Sequence, residues 1–178
     1  MTTTATPHPL LHWSDALALD LPVMDDTHRE FVDLLAAVVQ APDAALLDAW
    51  STLIAHTQDH FDREDQWMGD TGFASGNCHA TQHKVILQVM REGEQQGRRG
   101  QWAVIRQMAY ELGLWFPQHA QSMDAALALH LRSVGYDPLT GHLGQPDLLP
   151  QEAIQGCGGS TCSDTPDVAA AHDRHALA

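Results

Sequence analysis

The chain contains 178 residues, of which 23 are Asp or Glu and 9 are Lys or Arg, so its formal net charge is −14. This charge argues against binding to nucleic acid and against docking on anionic lipid, because both need a basic surface that neutralises phosphates. The length is that of one domain, and no apolar run approaches the roughly 18 residues that would span a membrane.

The N-terminal residues and the cysteines favour a cytoplasmic location. No basic segment followed by an apolar stretch occurs near Met1, so we expect no signal peptide. Three cysteines are an odd number and fit a disulfide framework poorly.

Hydrophobic periodicity predicts an extended arm followed by four helices. Residues 1–22 hold three prolines and show no helical period. Apolar residues spaced three and four apart then predict helices at about 25–39, 44–68, 78–96 and 101–134. Segments rich in Gly, Pro and Asp separate them. Pro117 lies inside the fourth helix and should kink it, because proline removes one backbone hydrogen bond.

Four helices with short connections predict an all-α fold, an up-down-up-down four-helix bundle over residues 23–135. Proline and glycine recur from residue 136 to residue 178 and interrupt any period, so we expect an irregular, disordered tail. Cys157 and Cys162 in this tail could close a small disulfide or, with His172 and His175, bind a metal ion. We favour the interpretation that these cysteines and histidines have no specific function.

Polar residues interrupt the apolar faces of all four predicted helices. They are His28 on the first helix, His60 and Glu64 on the second, His79 and His83 on the third, and His119 on the fourth. The pairs are four residues apart and therefore share one helix face. Burying so many imidazoles with a carboxylate is costly unless each group has a partner, and a metal centre would satisfy them together.

The ligand types narrow the choice of metal. One His-x3-His pair arises easily by chance among twelve histidines, and a lone core histidine is more often hydrogen-bonded than metal-bound. Chance explains less readily why candidate ligands lie on the apolar faces of four separate helices. Imidazole and carboxylate without thiolate favour iron, manganese or zinc over an iron–sulfur cluster. Five histidines exceed the needs of one metal ion with an open position, so two ions bridged by carboxylate fit better.

Ordered motifs between Trp13 and about Leu131 resemble those of the bacterial single-domain hemerythrins. The motifs are Asp25-Asp-Thr-His28, His60-Phe-Asp-Arg-Glu64, His79-Ala-Thr-Gln-His83, and Trp115-Phe-Pro-Gln-His119 followed by Asp124. The resemblance implies two iron ions, cycling between Fe²⁺ and Fe³⁺, with a solvent-derived oxo or hydroxo bridge. It implies that one iron is held by His79, His83 and His119, that the other is held by His28 and His60, and that Glu64 and Asp124 bridge them.

Asp124 is a ligand that helical spacing alone would not select. Five residues along a regular helix place it about 140° away from His119, whereas Met123 is the residue on the same face. A kink at Pro117 or a local π-bulge would reconcile the two.

The resemblance also implies that the second iron keeps an open position for dioxygen. Candidates for an apolar wall around this pocket are Trp115, Phe116, Phe61 and Trp67. Phe116 differs from the leucine that is usual in the family and would narrow the pocket. Trp67 is equally consistent with plain core packing. His56 lies one turn before His60, and its alternatives are an end-of-bundle or surface histidine and a residue that supports the ligands or relays protons.

These features favour a non-enzymatic protein that binds dioxygen for oxygen storage, delivery or sensing, with nitric oxide as a second candidate ligand. Five histidines with two carboxylates favour binding over activation, so we assign no catalytic residue. The alternatives are a diiron enzyme, such as a peroxidase, an oxidase or a nitric-oxide-handling reductase, and a metal-handling bundle. Protein partners are not indicated by the sequence.

Overall fold

The computed structural model of the protein describes residues 11–73 and 78–152. Its helices are α1 (Pro22–Gln40), α2 (Asp43–Thr71), α3 (Cys78–Arg98), α4 (Trp102–His119) and α5 (Ala125–Ser133), and a π-helical turn (Ala120–Asp124) joins α4 to α5. Helix α1 packs against α2 and α4, and α3 packs against α2 and α4. The predicted all-α four-helix bundle is therefore confirmed, with α4, the π-turn and α5 together forming the fourth long helix. No helix within the described ranges is long and apolar enough to span a membrane.

Local sequence signals explain where the helices begin and end. Pro22 opens α1, where its missing N–H would have had no partner inside the helix. Gly72 follows α2 with a φ of 68°, a left-handed conformation that only glycine adopts at little cost. The Phe73 N–H closes this helix end on the carbonyl of Met68.

Two apolar clusters occupy the interior of the bundle. The first contains Phe31, Trp50 and Phe116, and the second contains Met24, Trp67 and Leu131, among others. Buried histidines and carboxylates separate the two clusters along each helix.

The segments on either side of the bundle are attached to it where they are described. The Leu19 N–H donates to Asp25 Oδ1 at 2.7 Å, and Arg132 donates to the carbonyl of Leu19. Beyond α5, the Tyr136 hydroxyl donates to Asp70 Oδ2 at 2.7 Å. Residues 136–152 are irregular apart from one short 3-10 turn and an isolated antiparallel bridge between Tyr136 and Leu143. Cys157, Cys162, His172 and His175 lie outside the described residues.

Candidate metal centre

Side chains from all four long helices converge between the two apolar clusters. They form two overlapping groups: Glu64, His79, His83, His119 and Asp124, and His28, His60, Glu64 and Asp124. Within each group the candidate donor atoms lie within 4.8 Å of one another. All seven side chains predicted from the sequence are thus brought together, and the two carboxylates are common to both groups.

The π-turn explains how Asp124 reaches this group. Helix α4 continues through Pro117 to His119, and the next five residues form the π-turn. The wider turn places Asp124 Oδ1 3.1 Å from His119 Nε2, and Asp124 is fully buried. Met123, which lies on the same face in a regular helix, is only partly buried and is not in either group. The π-bulge, one of the two expected solutions, is the one observed.

Each carboxylate faces imidazoles of both groups. Asp124 places Oδ1 3.0 Å from His79 Nε2 and Oδ2 3.3 Å from His28 Nε2. Glu64 places Oε2 3.3 Å from His83 Nε2 and Oε1 3.8 Å from His60 Nε2. Both carboxylates therefore lie between the two groups of imidazoles.

The donor atoms that face the centre lack hydrogen-bond partners. They are Nε2 of His28, His60, His79, His83 and His119, and both oxygens of Glu64 and of Asp124. Buried polar atoms in native proteins are nearly always paired, so such a concentration of unpaired donor atoms calls for another partner. Nitrogen and oxygen donors suit iron, manganese or zinc, and the residues present therefore fit metal ions of this class.

Residues outside the group orient two of the imidazoles. His83 Nδ1 donates to Asp65 Oδ1 at 2.9 Å, and His119 Nδ1 lies 3.3 Å from Gln82 Oε1. With Nδ1 carrying the proton, Nε2 presents its lone pair to the centre. The sequence analysis assigned a role to neither Gln82 nor Asp65. The only sequence signal for Asp65 is that its carboxylate directly follows Glu64. The structure shows that Asp65 lies on the side of α2 that faces α3.

In the metal-free centre, burial and the neighbouring charges shift the pKa values of the ionisable side chains in opposite directions. Burial lowers the pKa of His60 to about 4. Burial also lowers the pKa of His79, but its contacts with Asp124 and Glu64 outweigh this and raise it to about 10. Burial disfavours the charged form of Glu64, yet the surrounding imidazoles hold its pKa well below the usual range. Two buried carboxylates therefore stay ionised and attract cations.

Three of the four aromatic residues proposed for the oxygen pocket contact imidazoles of the group. The Phe116 ring lies 5.1 Å from His28, the Phe61 ring stacks on His83 at 3.9 Å, and the Trp115 ring stacks on His119 at 4.4 Å. Trp67 instead packs in the second apolar cluster. The sequence missed Phe31, which stacks on Phe116 at 4.5 Å.

His56 is not part of either group. Its Nε2 donates to the Thr27 carbonyl at 3.1 Å, and its Nδ1 lies 3.7 Å from Glu30 Oε2. His56 is partly buried and links α2 to the residue that precedes His28 in α1. This position favours a supporting role over that of a free surface histidine.

Comparison with known proteins agrees with this geometry. Residues 19–129 match the family model described as the hemerythrin HHE cation binding domain. A bacteriohemerythrin of Ralstonia nicotianae is 36% identical over 129 residues, which cover 72% of this chain and 94% of that protein. Bacteriohemerythrins of Stenotrophomonas maltophilia and Pseudomonas paraeruginosa are each 24% identical, over 76% and 65% of this chain and 86% and 77% of their own. No solved structure matches the chain.

Proposed function

Because the chain belongs to the hemerythrin family, we propose that it is a non-haem diiron protein that binds dioxygen reversibly. The observation that carries this proposal is the set of buried donor atoms without partners, shared by two groups that have both carboxylates in common. We propose oxygen storage, delivery or sensing as its role, and the match to a cation binding domain supports the metal-binding part of this proposal.

The two iron ions differ in the number of imidazoles that hold them. His79, His83 and His119 would hold one ion, His28 and His60 would hold the other, and Glu64 and Asp124 would be shared by both. The ion with two imidazoles would have one protein ligand fewer and would therefore keep a position open for dioxygen. When bound, two ferrous ions would supply the electrons that reduce dioxygen as it binds.

The chain's own residues keep the open side of the centre apolar. Phe116 lies edge-on to His28 and stacks on the ring of Phe31. Both phenylalanines belong to the first apolar cluster and are 1–2% exposed. Such a wall excludes water and protons, and this exclusion favours reversible binding over irreversible oxidation.

The proposal is tested by loading the protein with ferrous iron without oxygen, admitting oxygen, and following the visible spectrum through a degassing cycle. We expect two iron ions per chain and a coloured band that appears with oxygen and disappears on degassing. A ferric spectrum that forms at once and never reverses would support an oxidase or peroxidase instead. Absence of any iron-dependent band would contradict the ligand assignment.

A matched pair of variants keeps this test specific. His28→Asn removes a proposed ligand of the open ion, whereas His12→Asn changes an exposed histidine in the N-terminal arm. We expect the reversible band to be lost in His28→Asn and kept in His12→Asn.

A further inference from the structure

A groove between α3 and α4 reaches the metal centre from the surface. Its volume is about 420 Å³, which is within the range of ligand pockets, and it is lined by Gln82, Val85, Trp115, Gln118 and His119, among others. None of the described residues that line it is Asp, Glu, Lys or Arg, although the chain as a whole carries a net charge of −14. The groove is therefore an uncharged site on a strongly acidic protein.

Trp115 connects this groove to the centre. Its ring stacks on His119 with centroids 4.4 Å apart and planes 27° apart. Gln82 Oε1 accepts a hydrogen bond from Trp115 Nε1 at 3.2 Å and lies 3.3 Å from His119 Nδ1, so one side chain holds both rings in place. The opposite nitrogen of His119 faces Asp124 at 3.1 Å. Two stacked π-systems thus lead from the groove to a proposed metal ligand.

We propose that the groove docks a neutral, planar redox ring of the flavin class, which passes electrons through Trp115 and His119 to the ferric centre. The inference rests on the proposed diiron function, because an oxygen carrier that has oxidised needs a reductant to regain its ferrous state. One reduced flavin ring loses two electrons and two protons and becomes oxidised flavin. Two ferric ions each gain one electron and become ferrous, and both protons leave to solvent.

The chemistry of the groove selects this occupant. A planar ring can stack on the indole of Trp115, and aromatic stacking of this kind is typically worth about 1–3 kcal/mol. The exposed amide of Gln118 at the groove can hydrogen-bond the polar edge of a flavin ring. Anionic carriers would be repelled by the acidic chain, whereas an uncharged ring is not.

Docking is tested first without iron, using riboflavin as the probe. Val85 is 53% exposed and lines the groove, whereas Val89, one turn along the same helix, is 40% exposed and is not among the lining residues. Val85→Arg should fill the groove and Val89→Arg should not. We expect wild type and Val89→Arg to quench riboflavin fluorescence saturably, with binding about tenfold weaker in Val85→Arg.

Electron transfer is tested on the iron-loaded protein by mixing the ferric form with photoreduced riboflavin and recording the loss of ferric absorbance. Trp115→Leu removes the stacked ring, and Trp102→Leu makes the same change at the start of the same helix, away from the groove. We expect reduction to slow about tenfold or more in Trp115→Leu and in Val85→Arg. Trp102→Leu and Val89→Arg should react like wild type.

The two proposals fail in different ways. If the protein holds no iron or shows no reversible band, the oxygen-binding proposal fails, and the riboflavin titration still reports on the groove. If iron and the reversible band are present but all variants bind riboflavin and are reduced alike, the groove inference is overturned.

Discussion

Asp124 Oδ1 lies 3.1 Å from His119 Nε2, although the two residues are five positions apart along one continuous helical segment. A regular α-helix would turn the aspartate about 140° away, and the π-turn over Ala120–Asp124 brings it back. A π-turn accommodates one residue more than an α-helical turn, and beyond it Leu127 and Leu131 are buried in α5.

The first prediction follows from this turn. Asp124→Asn should weaken metal binding by more than the ~10–100-fold that is typical of an outer, non-ligating residue, because the carboxylate contacts both groups of imidazoles. Met123→Leu is the control, since Met123 is the neighbour that helical spacing would select. Metal content per chain after dialysis measures the effect, and equal content in both variants would contradict the bridging role.

Asp65 is expected to act through His83. Asp65→Asn should lower metal affinity about 10–100-fold, because a carboxylate that accepts the Nδ1 proton fixes the ring and raises its basicity. Asp62→Asn is matched to it, since Asp62 is exposed on the same helix and contacts only Gln58 among the described hydrogen bonds. Competition with a metal-sensitive dye gives both affinities. Unchanged affinity in Asp65→Asn would show that packing alone orients His83.

Metal removal should destabilise the fold. Free metal at 100 times its Kd contributes about 2.7 kcal/mol, or roughly 5–10 °C in Tm at the ~2–4 °C per kcal/mol usual for a chain of this size. Chelation should therefore lower the Tm by at least that amount in wild type. Glu64→Gln, which has lost a shared donor, should respond much less. An identical fall in Tm in wild type and Glu64→Gln would show that metal binding at this centre does not stabilise the fold.

The effect of chelation should grow with pH. In the metal-free protein the pKa of His79 is raised from 6.5 to about 10, so its protonated form stabilises the fold fully below pH 6.5. This contribution is lost as the pH rises towards about 10, whereas metal binding needs the unprotonated ring and strengthens over the same range. The Tm difference between loaded and chelated protein should be larger near pH 9 than near pH 6. A difference that shrinks as pH rises would contradict this coupling.

Phe116 is expected to control access to the open ion. Phe116→Leu removes the ring that lies between His28 and Phe31, so both association and dissociation of dioxygen should become faster. Phe73→Leu makes the same change in the other apolar cluster. Each should cost about 1–3 kcal/mol of stability through looser packing, but only Phe116→Leu should change the oxygen kinetics. Stopped-flow spectroscopy separates the two, and equal kinetics in both variants would place the pocket elsewhere.

Much of the architecture was predictable from local patterns. Spacings of three and four residues predicted four helices, and the observed helix ends differ from the predicted ones by no more than three residues. The same spacing placed His60 with Glu64, and His79 with His83, on single helix faces. These inferences succeed because helical periodicity is a property of each segment by itself.

The roles of residues outside those patterns could be identified only from the tertiary structure. Trp67 lies on an apolar stripe, as Phe61 does, yet only Phe61 contacts histidines of the centre. Phe31 and Asp65 carried no motif that marked them for the site. Periodicity shows that a face is buried but not which residues of other helices it meets.

By itself the sequence determined the helices, the polar residues on their buried faces and the resemblance to hemerythrins. Only the tertiary structure decided how Asp124 reaches His119, which partners hold His83 and His119, and where the groove beside Trp115 opens. The reason is physical: these relationships join residues on different helices or depend on a local change of helical pitch. Both are settled by the packing of all four helices together and not by the free energy of any one of them.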